Sequence, residues 1–294
     1  MAERRYYEKL LIVAGMFFIF LVITLISLPL VMRLFGIDTS AREGWLLMSV
    51  YQAVVLFILP SFVAARLISS RPLRYLQLNR VPSGLAILGV IFGYLIALPA
   101  LNQIIFWNQN ISFPDSLAVW GETLREMEDR ATTATSTMLQ TASWGGLMVN
   151  LAVIGLITAF AEEIFFRGTL QHTAASKGLN HTAIWVVAFL FSAFHFQFFG
   201  FVPRLILGAW FGYLLFWTRS LYVPIFAHFL NNGVVVVCSW FVARGSTIDF
   251  EKFGVVEYGF PMPAFVSALA TVVFLIFFKR FFFNSKGKHS FSYA

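Results

Sequence analysis

Charge is what this chain has least of. Only 12% of its 294 residues are Asp, Glu, Lys or Arg, against about 25% in soluble domains. That shortage excludes an ordinary water-soluble globule. Cysteine is nearly absent: Cys238 is the only one, so an intrachain disulfide and a cysteine-held metal cluster are both excluded. Aspartate is confined to Asp38, Asp115, Asp129 and Asp249, all in predicted loops, so no aspartate pair lies in an apolar run. The net charge of +7 does not signal nucleic acid, because the basic residues are spread over loop ends, where they act as membrane topology signals.

What the chain does have is apolar length. Apolar residues make up 59% of it, 35 of them Phe, and the mean hydropathy is +0.78. A membrane span needs roughly 20 mostly apolar residues. Eight such runs are read, at about 10–32, 45–65, 84–106, 145–170, 182–200, 202–218, 222–242 and 262–282. The first is too long for a signal-peptide core of about 7–15 residues. The expectation is an all-α fold: a polytopic transmembrane helix bundle of about eight helices, in a single domain over 1–294. The loop near 107–144 repeats Leu117, Trp120, Leu124 and Met127 at helical spacing, which predicts a short amphipathic helix on the membrane interface. Most basic residues fall on one set of loop ends and most acids on the other, so both termini are expected in the cytoplasm.

One apolar run breaks the pattern. Glu162 and Glu163 stand side by side in Ala159-Phe-Ala-Glu-Glu-Ile-Phe-Phe-Arg167. A charge at the centre of a bilayer costs at least about 2.5–3.5 kcal/mol, so intramembrane carboxylates signal function by default. Residues four apart share a helix face and adjacent ones diverge by about 100°. Glu163 and Arg167 can therefore neutralise each other, while Glu162 is left to act as a base on water. Later runs offer partners: His195 in Phe191-Ser-Ala-Phe-His195, and His228 with Asn232 in His228-Phe-Leu-Asn-Asn232. Taken singly, a buried His or Asn is ordinary helix–helix glue, and Glu163–Arg167 alone reads as a structural pair. His172, His181 and His289 lie at surface loops or in the tail.

Glu-Glu-x-x-x-Arg at 162–167, Phe-x-x-x-His at 191–195 and His-x-x-x-Asn at 228–232 resemble the motifs of the CPBP (Abi) family of intramembrane proteases, which contains the CAAX proteases and bacteriocin-processing enzymes. The resemblance includes the type II CAAX prenyl endopeptidases and covers a core of about 145–242. It implies an endopeptidase that hydrolyses a peptide bond in a membrane-associated or lipidated substrate, inside a cavity open to the cytoplasm. By that carry-over Glu162 activates water, and His195 and His228 orient the water or bind a metal. Asn232 stabilises the oxyanion, and Glu163, Arg167 and Phe191 support the site. Two routes stay open: zinc held by Glu162, His195 and His228 with one open position, or a direct Glu–His mechanism without metal. The expected partners are the bilayer and a membrane-bound peptide or protein. Phe165, Phe166, Phe191, Phe194 and Phe229 are expected to line an apolar cavity.

Other protease types are excluded by missing motifs. There is no His-Glu-x-x-His zinc helix, no intramembrane aspartyl pair and no Gly-x-Ser-x-Gly. Ser192 reads as a packing serine. Two further function classes fit the composition. A proton-coupled transporter also uses buried Glu and His, but no inverted repeat is evident. A non-catalytic scaffold, or an immunity or maturation partner, would keep the same bundle. Oligomeric state leaves no trace in the sequence.

Overall fold

The computed structural model describes residues 5–175, 178, 180–247 and 250–284, the side chain of Asn284 excepted. Several residues used in the topology reading, namely Glu3, Arg4, Lys177, Asp249, Lys286 and Lys288, lie outside these, as does His289. Among the described residues the secondary structure is helical and no strand occurs. Seven helices are long and apolar enough to cross a membrane. The protein is an integral membrane protein with an all-α polytopic fold.

The helices are α1 (Tyr6–Leu34), α2 (Arg42–Ile68), α3 (Gly84–Gln109), α4 (Ala118–Leu139), α5 (Trp144–Ala174), α6 (Asn180–Ala193), α7 (Phe201–Thr218), α8 (Tyr222–Ala243) and α9 (Met262–Asn284). Their starts follow local chemistry. Ser83 Oγ accepts the Ala86 N–H at 3.2 Å and Ser143 Oγ accepts the Gly146 N–H at 3.0 Å, which satisfies donors that a helix N-terminus leaves unpaired. Much of the contact between the helices comes from shape and polar staples, as expected in lipid. On α3, Gly89 and Gly93 leave room for the rings of Phe278 and Phe274, which a Cβ would meet at 2.6 and 2.7 Å. Ser267 of α9 reaches into the α3 ladder beside Pro99, accepting the Ala100 N–H and donating to the Ile96 carbonyl.

Two expectations need correction. The fifth run, read as a span over 182–200, is only the 14-residue helix α6. At 1.5 Å per residue it covers ~21 Å, short of the ~30 Å hydrocarbon core. It stops at Ala193 because the chain turns: Phe196 takes a left-handed φ of 53°, and a 3-10 turn at Phe198–Gly200 leads into α7. The helix in the long loop is not short. α4 has 22 residues and none of them is buried; Trp120 is well exposed.

The functional motifs converge because α5, α6, α7 and α8 pack against one another. Two π-helical stretches, Leu151–Ile157 and Ile164–Gln171, flank the glutamates on α5. Such widened turns re-aim side chains and cluster at functional sites. Thr158 and Thr169 each donate to the carbonyl five residues back, Val153 and Ile164, matching the wider turn. On α7, Gly208 and Gly212 face α5 and α6. A Cβ on Gly208 would meet the Phe191 ring at 3.1 Å, and one on Gly212 would meet Gln171 Oε1 at 2.6 Å. Their bare backbones let α5 approach, and its Arg167 and Gln171 donate to the carbonyls of Gly208 and Gly212, both at 3.1 Å.

Candidate active site

The centre is built on Glu163. Its side chain is fully buried, and its Oε1 accepts from Arg167 Nη1 at 2.8 Å and from His228 Nδ1 at 2.8 Å. The expected i,i+4 pair is present. The link to His228, 65 residues away, is not something helical spacing could show. Arg167 is equally buried. Its second amino group is held by the Gly208 carbonyl, and its guanidinium lies 4.3 Å from the centre of the Phe191 ring. A cation over an aromatic face is favourable, more so when dry.

The bond to Glu163 decides how His228 behaves. An ionised carboxylate only accepts hydrogen bonds, so His228 Nδ1 carries the hydrogen and donates. That leaves Nε2 as the nitrogen that faces the rest of the site, since one ring nitrogen's bond sets the role of the other. The ring is clamped by stacking on Phe211, with centroids 5.0 Å apart at 17°, and by the edge of Phe191 at 5.9 Å. Its Nε2 therefore points in one direction, toward Glu162.

Glu162 is the one carboxylate of the pair without a bonded partner. Its Oε2 is buried, makes no hydrogen bond, and lies 3.8 Å from His228 Nε2. That separation is too long for a hydrogen bond. A water bridging the two atoms at ordinary bond lengths of ~2.8 Å would close that gap. The side chain keeps 14% exposure, so Glu162 is not sealed.

His195 sits just past the end of α6, in the turn. Its Nδ1 is 2.8 Å from the Phe191 carbonyl, which leaves Nε2 available. Phe191 lies between the two imidazoles, 5.1 Å from the His195 ring. Asn232 is one turn along α8 from His228. Its Nδ2 donates to the Ile154 carbonyl in the first π stretch at 3.1 Å, and its Oδ1 accepts from Asn231. One of its two amide hydrogens is thereby committed to α5. Among the described residues no three His, Cys, Asp or Glu side chains group as a metal-ligand set.

The phenylalanines behave differently from expectation. Phe165, Phe166 and Phe191 are buried, and with Phe194, Phe57 and Phe17 they form one packed aromatic cluster. Phe229 packs on Gly155. These rings pack on one another beside the site, the Phe191 ring meeting His228 edge-on. Offset and edge-to-face ring pairs are favourable enough to close such a cluster. Ser192 is a packing serine as expected, donating to the Phe201 carbonyl at 2.7 Å. His172 and His181 bond to Gln77 and Tyr213, away from the centre.

Three residues were missed by sequence reasoning: Arg204, Gln197 and Glu128. All three had been read as outside-loop residues or passed over. Arg204 lies in the first turn of α7, where it bonds to Gln197 Oε1 at 2.9 Å. A basic residue two positions inside an apolar run was the available signal.

A helical membrane bundle with a buried carboxylate–imidazole centre is the class this geometry defines. Residues 144–234 match the model of the family described as type II CAAX prenyl endopeptidase Rce1-like. The three motifs that carried the resemblance all fall within that segment. The chain is also 32% identical over 89 residues to the uncharacterized protein YpbD of Bacillus subtilis (strain 168), covering 29% of this chain and 43% of that protein. The match thus spans less than half the length of that relative. No solved structure matches.

Proposed function

We propose that this protein is an intramembrane endopeptidase of the CAAX protease type, in which Glu162 activates the attacking water. The observation that carries the reading is the division of labour between adjacent glutamates. Glu163 is held through Oε1 by both Arg167 and His228, its Oε2 being buried without a partner, whereas Glu162 Oε2 faces His228 Nε2 and belongs to a side chain that keeps 14% exposure. Glu163 orients the imidazole through Nδ1, as a third group orients the base in a catalytic triad. A water between Glu162 and His228 would lose a proton to Glu162 as it attacks the peptide carbonyl. His228 Nε2 fixes the direction of the water's remaining lone pairs and hydrogen. The proton on Glu162 then passes to the departing amine nitrogen, and the peptide C–N bond breaks. The second Asn232 amide hydrogen serves the oxyanion, while His195, whose Nδ1–H is spent on the Phe191 carbonyl, presents Nε2 as an acceptor that helps orient the water.

The similarity to a prenyl endopeptidase family over residues 144–234 supports a membrane-associated, lipidated substrate. The direct Glu–His route needs only the facing Glu162 Oε2 and His228 Nε2, and the Nδ1 bond to Glu163 would equally suit an imidazole that holds a metal through Nε2. No step is routed through a metal. With the start of α1 on the cytoplasmic side, α4, which follows three spans, lies on the opposite face. The test is hydrolysis of an internally quenched peptide library by purified protein in lipid vesicles. Wild type cleaves library members, and Glu162→Gln, which keeps size but not basicity, does not. Equal cleavage by both would remove Glu162 from the reaction.

A further inference from the structure

The turn at 194–202 is irregular backbone within an apolar part of the chain, and it carries His195. Non-helical backbone at membrane depth survives only where protein groups satisfy its N–H and C=O groups. The satisfying groups here come from three other elements. Glu128 Oε2 accepts the Phe199 N–H at 3.1 Å, and its Oε1 accepts from Gln197 Nε2 at 3.0 Å. Gln197 Oε1 in turn accepts from Arg204 Nη2 at 2.9 Å. Asn108 accepts the Val202 N–H at 2.8 Å and donates to the Phe198 carbonyl at 3.2 Å. Above Glu128, the Arg125 guanidinium lies 3.4 Å from the centre of the Phe199 ring.

Asn108 belongs to the embedded helix α3. Glu128 and Arg125 do not: they sit on α4, a helix with no buried residue of its own. An exposed helix that sends one carboxylate inward, to close both a backbone N–H and a side-chain amide, is more than a cover. We propose that Glu128 is a positioning residue for the catalytic centre. Through Phe199 and Gln197 it fixes the turn that bears His195, and through Gln197 it ties that turn to Arg204 of α7. The surface helix α4 is thus a working part of the site, and displacing it slackens the site. This rests on the protease reading, to which it adds a residue outside the three motifs.

Three variants test it: Glu128→Ala, Glu128→Gln, and the exchange Glu128→Gln with Gln197→Glu. In the exchange, residue 128 still accepts the Phe199 N–H and now donates to residue 197, whose carboxylate accepts from Arg204. Two readouts are taken. The first is amide hydrogen exchange over 194–202 in vesicles, which needs no substrate. The second is kcat and KM on the fastest-cleaved member of the quenched peptide library. For Glu128→Ala, exchange over 194–202 accelerates while α5 and α8 keep their protection. Its kcat falls by about 10- to 100-fold, the scale of an ångström-level misplacement, with KM within about twofold. Glu128→Gln is intermediate, and the exchange variant recovers most of kcat.

Unchanged protection over 194–202 in Glu128→Ala overturns the proposal. So does faster exchange there with kcat unaltered, or loss of protection spread through α5 and α8, which would make Glu128 a stability residue only. If wild type itself cleaves nothing in a Glu162-dependent way, the protease reading fails. The hydrogen-exchange arm then still decides whether Glu128 holds the turn.

Discussion

Replacing Arg167 by Leu removes the cation from a centre in which Glu163 is fully buried. The guanidinium contributes a 2.8 Å bond to Glu163, a 3.1 Å bond to the Gly208 carbonyl and a stacked contact on Phe191. Removing one partner of a buried pair typically costs about 3–5 kcal/mol, because an uncompensated charge stays behind. At about 2–4 °C per kcal/mol, the unfolding midpoint should fall by roughly 6–20 °C. Glu163→Leu with Arg167→Leu removes both charges, and replacing a whole buried pair by apolar groups is often neutral. The double variant should recover most of the midpoint. It should not recover cleavage, because His228 Nδ1 has lost the acceptor that orients its ring. The assay is intrinsic-fluorescence melting of detergent-purified protein beside peptide hydrolysis. An unchanged midpoint in Arg167→Leu would refute the reasoning. A double variant as unstable as the single one would show that lost packing, not stranded charge, is the cause.

Further expectations follow from the same geometry. Gly212→Val drives a side chain into Gln171 and Ile184, which already lie 2.6 and 2.9 Å from the position of a Cβ, and should cost about 1–3 kcal/mol as overpacking does, read as a lower midpoint. His228→Ala should abolish hydrolysis and leave Glu163 with Arg167 alone, so melting should change far less than in Arg167→Leu. Treatment with 1,10-phenanthroline should leave cleavage unchanged; loss that added zinc restores would establish a metal-dependent reaction. Asn232→Ala should lower kcat more than it raises KM if its amide serves the oxyanion, and equal effects on both would make it a packing residue that holds α8 to Ile154.

The legible part of this protein lies where a local rule applies. Glu163 with Arg167 follows from helix spacing, and both are where spacing put them. The apolar runs foretold the helices, and the resemblance carried by the three motifs is matched over 144–234. What escaped depends on approach between distant elements. The Glu163–His228 bond joins residues 65 apart, and no periodicity encodes it. A ruler of about 1.5 Å per residue along each apolar run sets Glu162, His195 and His228 at different depths. The α6 break and the π-helical turns of α5 are the features that change such a ruler. The use of Gly208 and Gly212 as two bare carbonyls for Arg167 and Gln171 is set by the packed helices. Glu128 looked like one more loop acid because its target is a single backbone N–H.

The central claim is that Glu162 cuts peptide bonds in the membrane. Its most direct test maps all protein N- and C-termini in membranes from cells that carry either wild type or Glu162→Gln at equal expression. The account predicts a small set of new termini present with wild type and absent with Glu162→Gln, each pair defining one cleaved bond in a membrane-associated protein. If no terminus differs, while Glu162→Gln still rescues whatever deletion of the protein disturbs, the bundle acts without proteolysis and the account is contradicted.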